Sequence, residues 1–244
     1  MRSYLDTMNY LAQDRSEETN PTFKAIISRL SLFRNTSPEA QRDIAARLVM
    51  RRRQAGSLIM GQDDPSDSLF IVQRGRVKLV IYGDNGRQMT LSVLGPGEFF
   101  GEVSAFDGME RGVTAEATED CTVLVLARDE LFEHLQRFPA TSMTFLMEMS
   151  RRMRRQNELI ANLALRDVSV RLARTLVKIA REEGAEVDGL PTIKKRPTQQ
   201  ELANMVGSCR ETVSRAMAGF SRKGLVKSKG RTLSLTDDLF DMAA

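Results

Sequence analysis

A chain of 244 residues with 41% hydrophobic content can bury one or two ordinary cores, and its net charge of +4 is too small for a uniformly basic protein. Two cysteines without C-x-x-C spacing and one histidine disfavour a metal or iron–sulfur cluster and leave no serine or cysteine a histidine partner, so His134 is a packing or surface residue. No apolar run spans a bilayer and no signal peptide is evident, so the expectation is a cytoplasmic protein with no membrane partner, no metal and no catalytic residues.

Residues 1–22 mix a few apolar positions with a polar run ending at Pro21 and read as a mobile arm. From Phe23 the apolar spacing predicts a short helix, and Ser37-Pro38 opens a second with Ile44 and Leu48 inward. Between Arg51 and Ala127 short alternating runs separated by glycine-rich turns predict an antiparallel sandwich or barrel: Leu58–Met60, Leu69–Val72, Val77–Ile81, Thr90–Leu94 and Cys121–Leu126. Within it, Gly101 and Glu102 open a small helix and Arg111 follows nine residues after the glutamate. Such a set can clamp a phosphate and a ribose hydroxyl, and a plain Glu102–Arg111 ion pair accounts for the same residues.

A long helix is expected from Thr141, where Leu146, Met149, Met153, Gln156, Ile160 and Leu163 recur at spacings of 3, 4, 3, 4 and 3. This is a heptad seam, whose simplest reading is a parallel coiled coil and a homodimer. Asp167 starts another helix through Leu172, Leu176 and Ile179, and the stretch 181–196 reads as a linker.

The C-terminal region carries the strongest local signals. Thr198 with Glu201 forms a capping box, Gly207 ends that helix, and Ser208 with Glu211 repeats the start signal: a helix-turn-helix. On the second helix Val213, Ala216, Met217 and Phe220 share one side, while Arg210, Glu211, Ser214 and Arg215 share the other. Arginine bonds bidentately to guanine and glutamate accepts from cytosine in a major groove, although Glu211 can equally serve as a cap. From Thr192 to Thr236 ten basic residues face two acidic ones, a net of +8 against +4 for the whole chain, so the charge is concentrated where a polyanion would bind. Leu225–Ser228 and Thr232–Leu235 alternate around Lys229-Gly230-Arg231, a hairpin wing. Thr198, Gln199, Lys227, Lys229 and Arg231 are the candidate contacts to DNA phosphate.

In this order, β-roll, dimer helix and winged helix, the chain resembles the CRP/FNR family of bacterial transcription regulators. Arg210-Glu211-Thr212-Val213 with Arg215 looks like that family's DNA-reading motif, and Asn162-Leu163-Ala164 with Asp167-Val168 looks like its hinge. The resemblance implies an α+β chain: a β-roll effector domain over 23–139, a dimerisation helix and hinge over 140–166, and a winged helix-turn-helix over 167–244. It further implies a homodimer on double-stranded DNA, TGTGA-like half-sites read by Arg210, Glu211 and Arg215, and contact with RNA polymerase. The implied effector pocket comprises Gly101, Glu102, Arg111, Gly112, Gln156 and Asn157, with a cyclic nucleotide as the implied ligand. It departs from the cyclic-AMP-binding pattern: Arg111-Gly112 stands for Arg-Ser, and Gln156-Asn157 for Thr-Ser. The expectation is therefore DNA binding with little dependence on cyclic AMP. The competing reading is a cyclic-nucleotide-binding scaffold that does not read DNA sequence.

Overall fold

The computed structural model describes residues 27, 30, 32, 33, 36–65, 67–83, 86–187 and 189–243. The arm assigned to 1–22, and most of the helix expected from Phe23, lie outside the described residues. The rest forms two compact units, one from the residues up to Leu79 with Val93–Met149, the other from Val80–Ser92 with Ser150–Ala244.

The first unit begins with α1 (Pro38–Arg47), where the Ser37 hydroxyl accepts from the Ala40 amide and Pro38 occupies the first turn, where its missing N–H is not needed. Its Ile44 and the following Leu48 are buried, as the spacing requires. The strands that follow are β1 (Val49–Arg53), β2 (Leu58–Met60), β3 (Ser68–Arg74), β4 (Val77–Tyr82), β5 (Gln88–Leu94), β6 (Phe99–Phe100), β7 (Thr114–Ala117) and β8 (Cys121–Ala127), of which the stretch Val80–Ser92 of β4, β5 and their turn belongs to the second unit. They form two four-stranded sheets in the orders β1-β8-β3-β6 and β2-β7-β4-β5, with antiparallel pairing throughout the pairs β1–β8, β3–β8, β3–β6 and β2–β7. The small helix α2 (Glu102–Asp107) sits between β6 and β7.

Leu69, Ile71, Phe99, Leu124 and Leu126 join Ile44, Leu131 and Phe145 in one core, and Val72, Val77, Phe100, Ala115 and Val123 form another. Two helices follow, α3 (Arg128–Arg137) and α4 (Pro139–Leu165), the latter belonging to the second unit from Ser150 on. The strands β1, β6 and β7 and the helix α3 are additions to the sequence reading. His134 is a packing residue, fully buried on α3: its Nδ1 lies 2.8 Å from Asp43 Oδ2 and its Nε2 3.3 Å from Thr141 Oγ1.

The second unit holds α5 (Val168–Glu183), β9 (Ala185–Val187), β10 (Leu190–Ile193), α6 (Gln199–Val206), α7 (Arg210–Arg222), β11 (Val226–Lys229), β12 (Thr232–Leu235) and α8 (Asp237–Ala243). Its sheet runs β11-β12-β10-β9. The segment read as a linker is therefore largely a hairpin, with Leu190 paired to Val187 and Thr192 to Ala185, and Thr192 and Ile193 are buried where they pair with Ser234 and Leu233. Leu172, Leu176, Leu202, Val213, Phe220 and Leu233 are its centre. Asp167 stands at the N-cap of α5, yet its side chain makes no cap bond.

Candidate nucleic-acid interface

The helix-turn-helix is built by local chemistry. Thr198 Oγ1 accepts from the Glu201 amide at 3.2 Å while Glu201 Oε2 accepts from the Thr198 amide at 2.6 Å, so the capping box holds the start of α6. At its end Gly207 adopts φ +63° and donates to the Ala203 carbonyl, a left-handed turn that suits glycine. The second capping box does not form. Ser208 also donates its amide to Ala203, at 3.0 Å, and so belongs to the turn closing α6; Cys209 takes the N-cap of α7 without a side-chain cap bond.

On α7, Val213, Met217 and Phe220 are buried and Ala216 is partly buried, while Arg210, Glu211 and Arg215 are exposed and Ser214 is half-buried. Glu211 is held below the ordinary carboxylate value chiefly by a hydrogen bond with its own backbone, helped by Cys209 and by the charges of Arg210 and Arg215. It is an anionic acceptor beside two cations. Cys209 is exposed in the same turn, its thiol 3.1 Å from Thr212 Oγ1, a bond that lowers its pKa. In the wing, Lys229 pairs with Thr232 across Gly230 and Arg231, and Lys227, Lys229 and Arg231 are exposed. Thr198 is exposed and Gln199 half-buried at the start of α6.

In the first unit Gly101, Glu102 and Arg111 do come together. Arg111 is only 2% exposed, and its guanidinium Nη1 donates to the Gly101 carbonyl at 2.7 Å and to Ser104 Oγ at 3.0 Å, while Nη2 donates to the Ser68 carbonyl at 2.7 Å. Burial pushes its pKa below the ordinary arginine value, against the opposing charges of Asp67, Asp64 and Glu102. Both terminal nitrogens of the fork are thus engaged by the protein itself, and only Nε has no partner. Gly101 sits at φ +80°, where a Cβ would lie 2.7 Å from Arg111 Nη1 and 3.2 Å from the Ser68 carbonyl. Gly112 is exposed, with open space where a side chain would project.

On α4 the seam positions Leu146, Met153 and Ile160 are 59%, 65% and 62% exposed, Met149 and Leu163 are half-buried, and Gln156 and Asn157 are exposed.

Residues 50–138 match the cyclic nucleotide-binding domain, and residues 170–238 match the Crp-like helix-turn-helix domain. The chain is 30% identical over 212 residues to the CRP-like cAMP-activated global transcriptional regulator of Mycobacterium tuberculosis, covering 87% of this chain and 95% of that protein. It is 32% identical over 189 residues, 75% of this chain and 87% of the other, to the cAMP-activated global transcriptional regulator Vfr of Pseudomonas aeruginosa.

The chain belongs to the CRP/FNR family of transcription regulators.

Among solved structures, the c-di-GMP-responsive global regulator CLP of Xanthomonas campestris superposes with a TM-score of 0.73 at 25% identity, covering 82% of this chain and 99% of that one. As a member of the CRP/FNR family, the chain carries a DNA-binding helix-turn-helix and a cyclic nucleotide-binding fold, and no helix among the described residues is long and apolar enough to cross a membrane. Ser68, Ser104 and Arg171 carried no sequence signal. Ser68 and Ser104 bond Arg111, and Arg171 Nε donates to the Val206 carbonyl at 2.9 Å to hold the end of α6. These bonds join a backbone oxygen or a lone hydroxyl to a guanidinium, pairings that have no signature in composition or spacing.

Proposed function

We propose that the protein is a homodimer that reads an inverted repeat of TGTGA-like half-sites and regulates transcription through contact with RNA polymerase. The observation that carries this reading is the division of α7, apolar side buried and Arg210, Glu211 and Arg215 exposed at its first turns. Arg210 and Arg215 pair with guanine, Glu211 accepts from cytosine, and Ser214 lies alongside; Thr198, Gln199, Lys227, Lys229 and Arg231 fix the register on phosphate. The exposed seam of Leu146, Met153 and Ile160 is the surface that a second copy covers.

The same reading gives the regulator little dependence on cyclic AMP, although relatives are named as activated by it. A cyclic phosphodiester seeks paired donors, and it meets an arginine whose Nη1 and Nη2 already hold the Gly101 and Ser68 carbonyls. Gly112 adds no hydroxyl, and the missing bond to a charged group costs about 1.5–3 kcal/mol, roughly ten- to a hundredfold in affinity. Gln156 and Asn157 replace smaller hydroxyl residues on the long helix and carry amides that can pair across a dimer. The test is selection of sites from random DNA, followed by titration of the selected operator with and without cyclic AMP. Specific binding without nucleotide, changing by less than about tenfold on its addition, is the expected result, a coupling below about 1.4 kcal/mol. A hundredfold gain overturns it.

A further inference from the structure

The second unit contains a segment that the DNA-reading surface does not use. Val80–Ser92, the outer part of the β4–β5 hairpin, belongs with the winged helix residues. Asn204 Nδ2, on α6, donates to Gln88 Oε1 at 3.1 Å, and Gln88 Nε2 donates to the Tyr82 hydroxyl at 3.4 Å, so the Gln88 amide is oriented at both ends. Next to it, Met89 packs toward the turn of the helix-turn-helix. A Cβ on Gly207 would lie 3.6 Å from Met89 Cε, 3.7 Å from its sulfur and 2.9 Å from Leu163 Cδ2. From the other side Arg171 Nη1 donates to the Arg166 carbonyl at 2.8 Å and to the Leu163 carbonyl at 3.3 Å, while its Nε holds the Val206 carbonyl. The last turn of α6 and the turn that follows it are therefore held by the Gln88 amide and the Met89 thioether from the hairpin, by Leu163 at the end of α4 and by the Arg171 guanidinium on α5. Arg210, Glu211 and Arg215 remain exposed, so the grip does not cover the reading face.

We propose that Gln88 and Met89 are positioning residues for base reading, a role that rests on the function proposed above. Bidentate readout tolerates little rotation, because both bonds to one base must form together. A turn that can rock loses the paired bonds while keeping most phosphate contacts, which are long-range and forgiving. The hairpin amide narrows that freedom before DNA arrives, so less ordering is left to oppose binding. The segment acts through Asn204 and Gly207 and touches no base itself.

The experiment is a double-mutant cycle on the full-length protein, Gln88→Ala, Asn204→Ala and both together, with Met89→Ala alongside, titrated on the preferred operator and on a scrambled duplex. Each single change is expected to weaken operator binding about fivefold, the equivalent of one ordinary hydrogen bond, and the double change no more than the worse single one. Binding to scrambled DNA and the unfolding midpoint stay at the wild-type level, which separates positioning from a merely structural role. Strictly additive losses, an unchanged operator-to-scrambled ratio, or a gain in operator affinity overturn the proposal. A wild-type protein that fails to distinguish operator from scrambled DNA fails at the earlier step and refutes the DNA-reading function instead.

Discussion

Arg111→Ala separates an arginine kept for the fold from one kept for a ligand. The substitution withdraws three buried donor contacts, to the Gly101 and Ser68 carbonyls at 2.7 Å and to Ser104 at 3.0 Å, and leaves Glu102 and the Asp67 loop without their central cation. Leaving a buried acceptor without its donor costs about 1–3 kcal/mol, and three acceptors lose theirs here, so a loss on the order of 3–5 kcal/mol is expected. For a chain of this size each kcal/mol moves a midpoint by about 2–4 °C, so a fall on the order of 10 °C is expected in the transition that reports the first unit. The winged helix, with its separate core, should unfold where it did before. Differential scanning calorimetry with circular dichroism resolves the two transitions. Arg111→Lys keeps the charge but not the planar fork and should recover less than half of the loss. A midpoint unchanged within about 2–4 °C, the equivalent of about 1 kcal/mol, with a nucleotide response abolished, would refute the argument and return Arg111 to a ligand.

Met153→Asp or Ile160→Asp places like charges on the exposed seam of α4 and should give monomers in sedimentation, with only weak, non-specific DNA binding; a variant that stays dimeric places the interface elsewhere. His134 is held below its ordinary value of 6.5 by burial, against the Asp43 hydrogen bond, with the Arg47 and Arg137 charges also lowering it. Burial alone would raise Asp43, but bonds from His134 and Arg47 outweigh that and lower it. Both groups bind fewer protons folded than unfolded: the His134 contribution is full above about pH 6.5 and is lost as pH falls through its folded value, whereas that of Asp43 is lost only below about pH 3.8. Urea midpoints compared at about pH 7.5 and about pH 5 should therefore drop, and His134→Gln should flatten the slope; a midpoint that rises on acidification contradicts the assignment.

The helix-turn-helix was legible in the sequence because its signals are local. Thr198 with Glu201, the left-handed Gly207 and the apolar stripe of Val213, Met217 and Phe220 each act within a few residues. The misread Ser208 shows the limit of the same logic: a start signal yields when the residue is already closing the preceding helix. The strand β10 escaped notice because Thr192 and Ile193 pair with Ser234 and Leu233, some forty residues on. Gly101, Glu102 and Arg111 were found as a cluster, but not what Arg111 holds, since two of its acceptors are backbone carbonyls. The Gln88–Asn204 bond spans 116 residues and joins two unremarkable amides, which no spacing rule connects.

The central claim, that α7 reads bases, is tested most directly by titrating wild-type protein and Arg210→Ala against the preferred operator, a set with each guanine replaced, and scrambled DNA. Loss of about 1–3 kcal/mol on the preferred operator, relaxed discrimination at one guanine position and unchanged binding to scrambled DNA are the expected results. Arg210→Ala binding preferred and scrambled DNA in the wild-type ratio would show that this helix does not read sequence.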